Sequence, residues 1–140
     1  MVPINYLAVV VAGLSQMVLG SVWYGPLFGK QWIAMAGFTP ADIEAGKKQG
    51  MGKSYALAAL GSLATAFVLA HALEFAMAYL GTEGVSAGLQ TGFWNWLGFV
   101  APITMGDVIW GKKTWKLWTL NNGYNLLSLL VMGVILALWQ

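Results

Sequence analysis

The run Tyr55–Leu80, YALAALGSLATAFVLAHALEFAMAYL, limits the possible folds more than any other part of the chain. It exceeds the ~20 residues that a helix needs to cross a hydrocarbon core of ~30 Å. Three further runs approach or pass the same length: Ile4–Tyr24, Leu89–Trp110 and Lys116–Trp139. Lipid cannot satisfy backbone N–H and C=O groups, so an open chain crosses it only as helices. The expectation is an all-α integral membrane protein. It has four transmembrane helices, a long, partly helical first cytoplasmic loop, and one domain over residues 1–140. A soluble bundle of buried helices is the alternative. Composition weighs against it: 59% of residues are hydrophobic and 9% charged, where a globular domain carries about 25% charged residues.

Lysine placement sets the expected orientation. All seven basic residues are lysines. Lys30, Lys47, Lys48 and Lys53 lie between runs one and two; Lys112, Lys113 and Lys116 lie between or at the edge of runs three and four. The segment between runs two and three holds Glu83 and no lysine. The positive-inside rule puts loops 25–54 and 111–115 in the cytoplasm and both termini outside. The one-sided bias argues against dual topology. Trp23, Tyr24, Trp110, Trp115 and Trp118 gather at the same predicted boundary and Trp139 marks the other, the pattern of an interfacial aromatic belt. The N-terminus lacks a basic leader and a small-residue cleavage site, and reads as a retained first span.

Several function classes are excluded or disfavoured. The lysines form no solvated Arg/Lys face of the kind that binds nucleic acid. Cysteine is absent, which removes disulfides, thiolate metal sites and thiol catalysis. The segment Gly46–Ser54, GKKQGMGKS, imitates a phosphate-binding loop, but five residues before Gly52 stands Lys47 rather than glycine, and no strand precedes it. A basic loop beside anionic lipid explains it equally well. Earlier in the same loop, Phe28, Trp32, Ile33 and Met35 suggest an interfacial apolar face. Thr39, Pro40 and Asp42 then suit an N-cap, first position and first turn of a short helix that Lys47 and Lys48 would close.

Polar residues inside the runs carry the functional reading. A charged side chain at mid-membrane costs about 2.5–3.5 kcal/mol on insertion scales, so it calls for a partner or a role. In run two, Ala58, Ser62, Ala66 and Ala70 make a small-residue stripe for helix packing, and Glu74 extends it by one step with His71 beside it. Run three contains Asn95 and Asp107, with Pro102 expected to kink it. Run four puts Asn121, Asn122, Asn125 and Ser128 within one arc. Laid out by depth, His71, Glu74 and Asn95 fall in the outer half, Gln16, Asn125 and Ser128 near the middle, and Thr104, Asp107, Asn121 and Asn122 in the inner half. Such a series suits an ion or solute pathway of His71, Glu74, Asn95, Gln16, Asp107, Asn121, Asn122 and Asn125. The plainer alternatives are inter-helix hydrogen bonding and, for Glu74, simple hydration.

The segments VWYGPLFGKQW, WLGFVAP and KLW…NNGYNLLSLLVMGVILALW carry a resemblance to a known family. The chain resembles the bacterial membrane family catalogued as domain of unknown function 1761, over its whole length. The resemblance implies a four-span protein of about this size, in the inner membrane of a bacterium, and it implies no activity or site residue. Family members often have an acidic-glycine-basic loop before span four; WGKKTWK stands there here.

Three function classes remain open at this stage. The first is permeation or transport of an ion, proton or small solute. Four short helices enclose little space, so this needs a homo-oligomeric bundle, with His71 and Glu74 as an outer site and Asp107 and the asparagines as an inner vestibule. The second is a non-catalytic accessory or assembly subunit of a larger membrane complex. The third, a membrane enzyme, has no supporting motif. The expected partners are the lipid bilayer and either further copies or a larger complex, without nucleic acid. No cofactor or metal is expected, although His71 as a pigment or haem ligand remains an alternative.

Overall fold

The computed structural model describes all 140 residues. It contains helices and no strands: α1 Tyr6–Val22, α2 Gly29–Ala36, α3 Pro40–Gln49, α4 Gly52–Leu80, α5 Gly84–Asn95, α6 Ala101–Ile109 and α7 Trp115–Leu138. Wider π-type turns follow α1 at Trp23–Leu27 and join α5 to α6 at Trp96–Val100. Three helices are long and apolar enough to cross a membrane: Tyr6–Leu27, Gly52–Leu80 and Trp115–Leu138.

The expected fourth span, Leu89–Trp110, needs correction. It is absent from these three, although residues 84–109 are helical without interruption, as α5, the π segment and α6 in succession. Pro102 accounts for the π segment. It has no N–H to donate, and its ring crowds the carbonyl four residues back, so the regular ladder cannot continue through it. The wide turn ends two residues before it, and Thr104 Oγ1 donates to the carbonyls of Val100 (2.8 Å) and Ala101 (3.1 Å).

α7 is the centre of the assembly. It packs most extensively on α5, and also on α1 and α4; α1 and α5 each also pack on α4. The core runs from Ala8, Val9 and Ala12 of α1 through Ala66, Leu69, Ala70 and Leu73 of α4 to Leu129, Met132 and Leu136 of α7. Small residues at α1, α4 and α5 let these helices approach closely. The closest approach lies between α5 and α7. A Cβ built on Gly88 would overlap the Gly133 carbonyl and one on Gly133 the Gly88 carbonyl, while one on Gly92 would lie 2.5 Å from the Leu129 carbonyl oxygen. Both chain ends meet at one end of the bundle, where Asn5, Trp139 and Gln140 line a small pocket. The starts of α4 and α7 and the ends of α1 and α6 meet at the opposite, lysine-bearing end.

The loop helices follow their local signals. Thr39 caps α3 by accepting from the Asp42 N–H (3.2 Å), and Asp42 Oδ2 accepts from the Thr39 N–H (2.8 Å), a reciprocal capping box. The Thr39 backbone bond, then its hydroxyl bond, holds the Asp42 carboxyl below its ordinary value of 3.8. A lowered folded value means that the carboxylate supports the cap above the unfolded value and loses that support as pH falls through the folded one. Thr39→Ala is therefore expected to speed amide exchange over the first turn of α3 several-fold. Acidification below the ordinary carboxylate range should likewise lower the protection of these amides, relative to their intrinsic exchange rate, in the wild type and change it little in the variant. Unchanged exchange in Thr39→Ala would show that the box does not hold the helix.

Candidate functional site

The sequence-predicted polar residues divide into an inner group that the fold brings together and an outer group that it does not. The inner group centres on Asn122 of α7, which is 3% exposed. Its Oδ1 accepts from the Trp96 indole at 3.1 Å, and its Nδ2 donates to Thr104 Oγ1 at 3.0 Å and to the Trp118 carbonyl at 3.2 Å. Thr104 Oγ1 also accepts from the Trp118 indole at 3.0 Å. A buried amide must find partners or carry the full desolvation cost, and Asn122 finds three within the chain. Its hydrogen-bonding capacity ties the π segment and α6 to α7.

Above this network lies a cavity of about 720 Å³. Asp107, Asn121, Asn122 and Asn125 all line it, so four of the eight predicted pathway residues share one space. Five aromatic residues share the walls: Tyr24, Trp32, Tyr55, Trp118 and Tyr124. Tyr24 sits edge-on to Trp32 (5.4 Å, 65°) and to Tyr124 (5.2 Å, 70°), so neighbouring ring planes stand at steep angles. Tyr24 OH donates to Asn121 Oδ1 at 2.8 Å, and Tyr124 OH donates to the Gln16 carbonyl at 3.0 Å. The kink at Gly25 (φ −108°, ψ −105°), next to Pro26, turns the chain out of α1 and lets α2 bring Trp32 back over the cavity. Asp107, at the rim, pairs with Lys113 at 3.3 Å; both side chains are more than half exposed. These are the only two charged residues on the wall.

Asn125 differs from its neighbours. It is half-buried on the cavity wall, and its amide has no hydrogen-bond partner within the chain. The Asn121 amide likewise has its oxygen engaged and its Nδ2 free. Their free amides, the Asp107 carboxylate and the unengaged Ser54 and Tyr55 hydroxyls are polar groups available to a bound molecule.

The outer group is dispersed. His71 Nδ1 bonds to the Phe67 carbonyl at 2.9 Å, one turn back on α4, and its ring packs edge-on against Phe67 at 4.5 Å. Glu74 is half-buried and makes no hydrogen bond or ion pair, so the two side chains do not pair with each other. Asn95 Nδ2 donates to the Thr91 carbonyl at 2.8 Å, and its side chain borders a separate, largely apolar hollow between α4 and the π segment. The Gln16 side chain makes no hydrogen bond, and only its backbone carbonyl is engaged. No cluster of three or more His, Cys, Asp or Glu side chains could hold a metal ion. In the small-residue stripe, Ser62, Ala66 and Ala70 are buried, whereas Ala58 is exposed and forms part of the cavity wall. The Thr91 and Ser128 hydroxyls are buried without a partner.

Sequence reasoning missed two things here. The first is the aromatic wall. Trp23, Tyr24 and Trp118 read as headgroup anchors, yet the Trp23 indole donates to the Leu120 carbonyl at 3.2 Å and the Trp118 indole to Thr104. The second is Gly88-x-x-x-Gly92, a small-residue spacing visible in the sequence, which seats α5 on α7.

The three helices long and apolar enough to cross a membrane are compatible with an integral membrane protein. The chain belongs to the family described as protein of unknown function DUF1761, which matches residues 7–137. No curated protein and no solved structure matches it.

Proposed function

We propose that this is a four-span inner-membrane protein whose cytoplasmic vestibule binds a small polar solute, as the first step of permeation or transport through a homo-oligomeric helix bundle. In this reading α5, the π segment and α6 together form the third span, and the lysine-bearing end faces the cytoplasm. The supporting observation is the convergence of Asp107, Asn121 and Asn125 on one cavity of about 720 Å³, within the size range of small-molecule sites. His71 and Glu74 stay in the proposal as an outer station completed only by a neighbouring copy, because within one chain they border no common space with the vestibule.

A second reading, an accessory subunit of a larger complex, draws support from Asn122, whose amide is spent entirely on internal bonds. Reconstituted flux separates the two. The purified protein in proteoliposomes should pass small polar solutes, and Asn125→Leu should reduce that flux at least tenfold without changing the melting temperature. A well-folded protein that carries nothing alone, and co-purifies with a larger complex, would favour the accessory role.

A further inference from the structure

We infer that the vestibule selects organic cations, small molecules bearing a substituted ammonium group. This rests on the vestibule being a binding site and names the chemistry it takes. Tyr24, Trp32, Tyr55, Trp118 and Tyr124 surround the space, and rings set edge-on to one another present π faces from several directions at once. A cation within ~6 Å of a ring face gains roughly twofold to thirtyfold in affinity per contact, depending on desolvation. The wall carries one carboxylate, Asp107, and one ammonium, Lys113, which are paired with each other. Lys113 lies in the short exposed loop between α6 and α7. Its ammonium is the counter-charge that the chain supplies to Asp107, and an exposed pair of this kind is weak enough for a ligand to displace. With Lys113 swung away, the wall carries only negative charge. The free amides of Asn125 and Asn121 lie deeper and suit a hydroxyl or carbonyl on the same ligand.

The experiment uses the full chain in detergent, with binding read by tryptophan fluorescence and calorimetry. The ligands are choline, tetraethylammonium, and 3,3-dimethylbutan-1-ol, the uncharged isostere of choline. Choline should bind about tenfold or more tightly than the isostere. Asp107→Asn should weaken choline about tenfold and leave the isostere unchanged. Lys113→Gln should tighten choline several-fold, a change that a merely structural role for the loop would not produce. Both substitutions are at exposed positions, and unchanged melting temperatures will confirm folding. Absence of binding by both cations, equal affinity for choline and the isostere, or a choline affinity indifferent to Asp107→Asn would each overturn the inference. Choline flux into proteoliposomes then distinguishes it from the transport reading. Binding without flux sustains cation recognition and removes transport; flux of neutral or anionic solutes without preference for cations does the reverse.

Discussion

Gly133→Leu is expected to leave no folded protein. At the α5–α7 crossing the backbones of Gly88 and Gly133 touch, and any Cβ at either position meets a carbonyl of the opposite helix rather than a movable side chain. Overpacking a core typically costs about 1–3 kcal/mol even where side chains can give way. Here the helices themselves must separate, along the most extensive helix pair in the molecule. Gly133→Ala, the milder change, should lower the melting temperature by roughly 5–10 °C, given ~2–4 °C per kcal/mol for chains of this order of size. Gly61→Ala and Gly106→Ala are the controls. A Cβ there meets nothing within 4 Å, and replacing a helical glycine gains about 0.5–1 kcal/mol of helix propensity. Should Gly133→Ala melt with those controls, the close crossing does not hold the fold.

Asn122→Leu is expected to have the second-largest effect. It removes the acceptor of the Trp96 indole and a donor to Thr104, and so detaches the π segment from α7. An unsatisfied buried polar group costs about 1–3 kcal/mol, although hydrogen bonds between membrane helices average about 0.6 kcal/mol. With three bonds lost at once, a fall of about 5 °C in melting temperature is expected. Asn125→Leu, one turn further along the same helix, breaks no bond within the chain and should leave the melting temperature unchanged while abolishing solute binding. Similar destabilisation by both substitutions would mean that the asparagines share one structural role, and would remove the vestibule's claim to function.

The sequence by itself determined an all-helical chain with runs long and apolar enough to cross a membrane, and the local detail of α3. Apolar runs longer than a bilayer needs, with few charges, allow only helices, because helices alone satisfy their own backbone in lipid. The α3 helix was legible residue by residue, since the Thr39–Asp42 box depends only on neighbours in the chain. The family was legible from WYGPLFGK and the run-four asparagines, and residues 7–137 match it. In the third run Pro102 announced an irregularity, but the extent of the π segment depends on how Trp96 and Thr104 find Asn122 across the interface. Only the tertiary structure separated three asparagines that look alike in sequence. Asn122 is consumed, Asn121 half-engaged and Asn125 free. Periodicity places residues on a face of one helix and cannot say which groups on other helices meet them. For the same reason His71 and Glu74, neighbours on one face, proved unpaired. Tyr24, Trp32 and Tyr55, scattered along the chain, became walls of one cavity because the kink at Gly25 folds α2 back toward the start of α4.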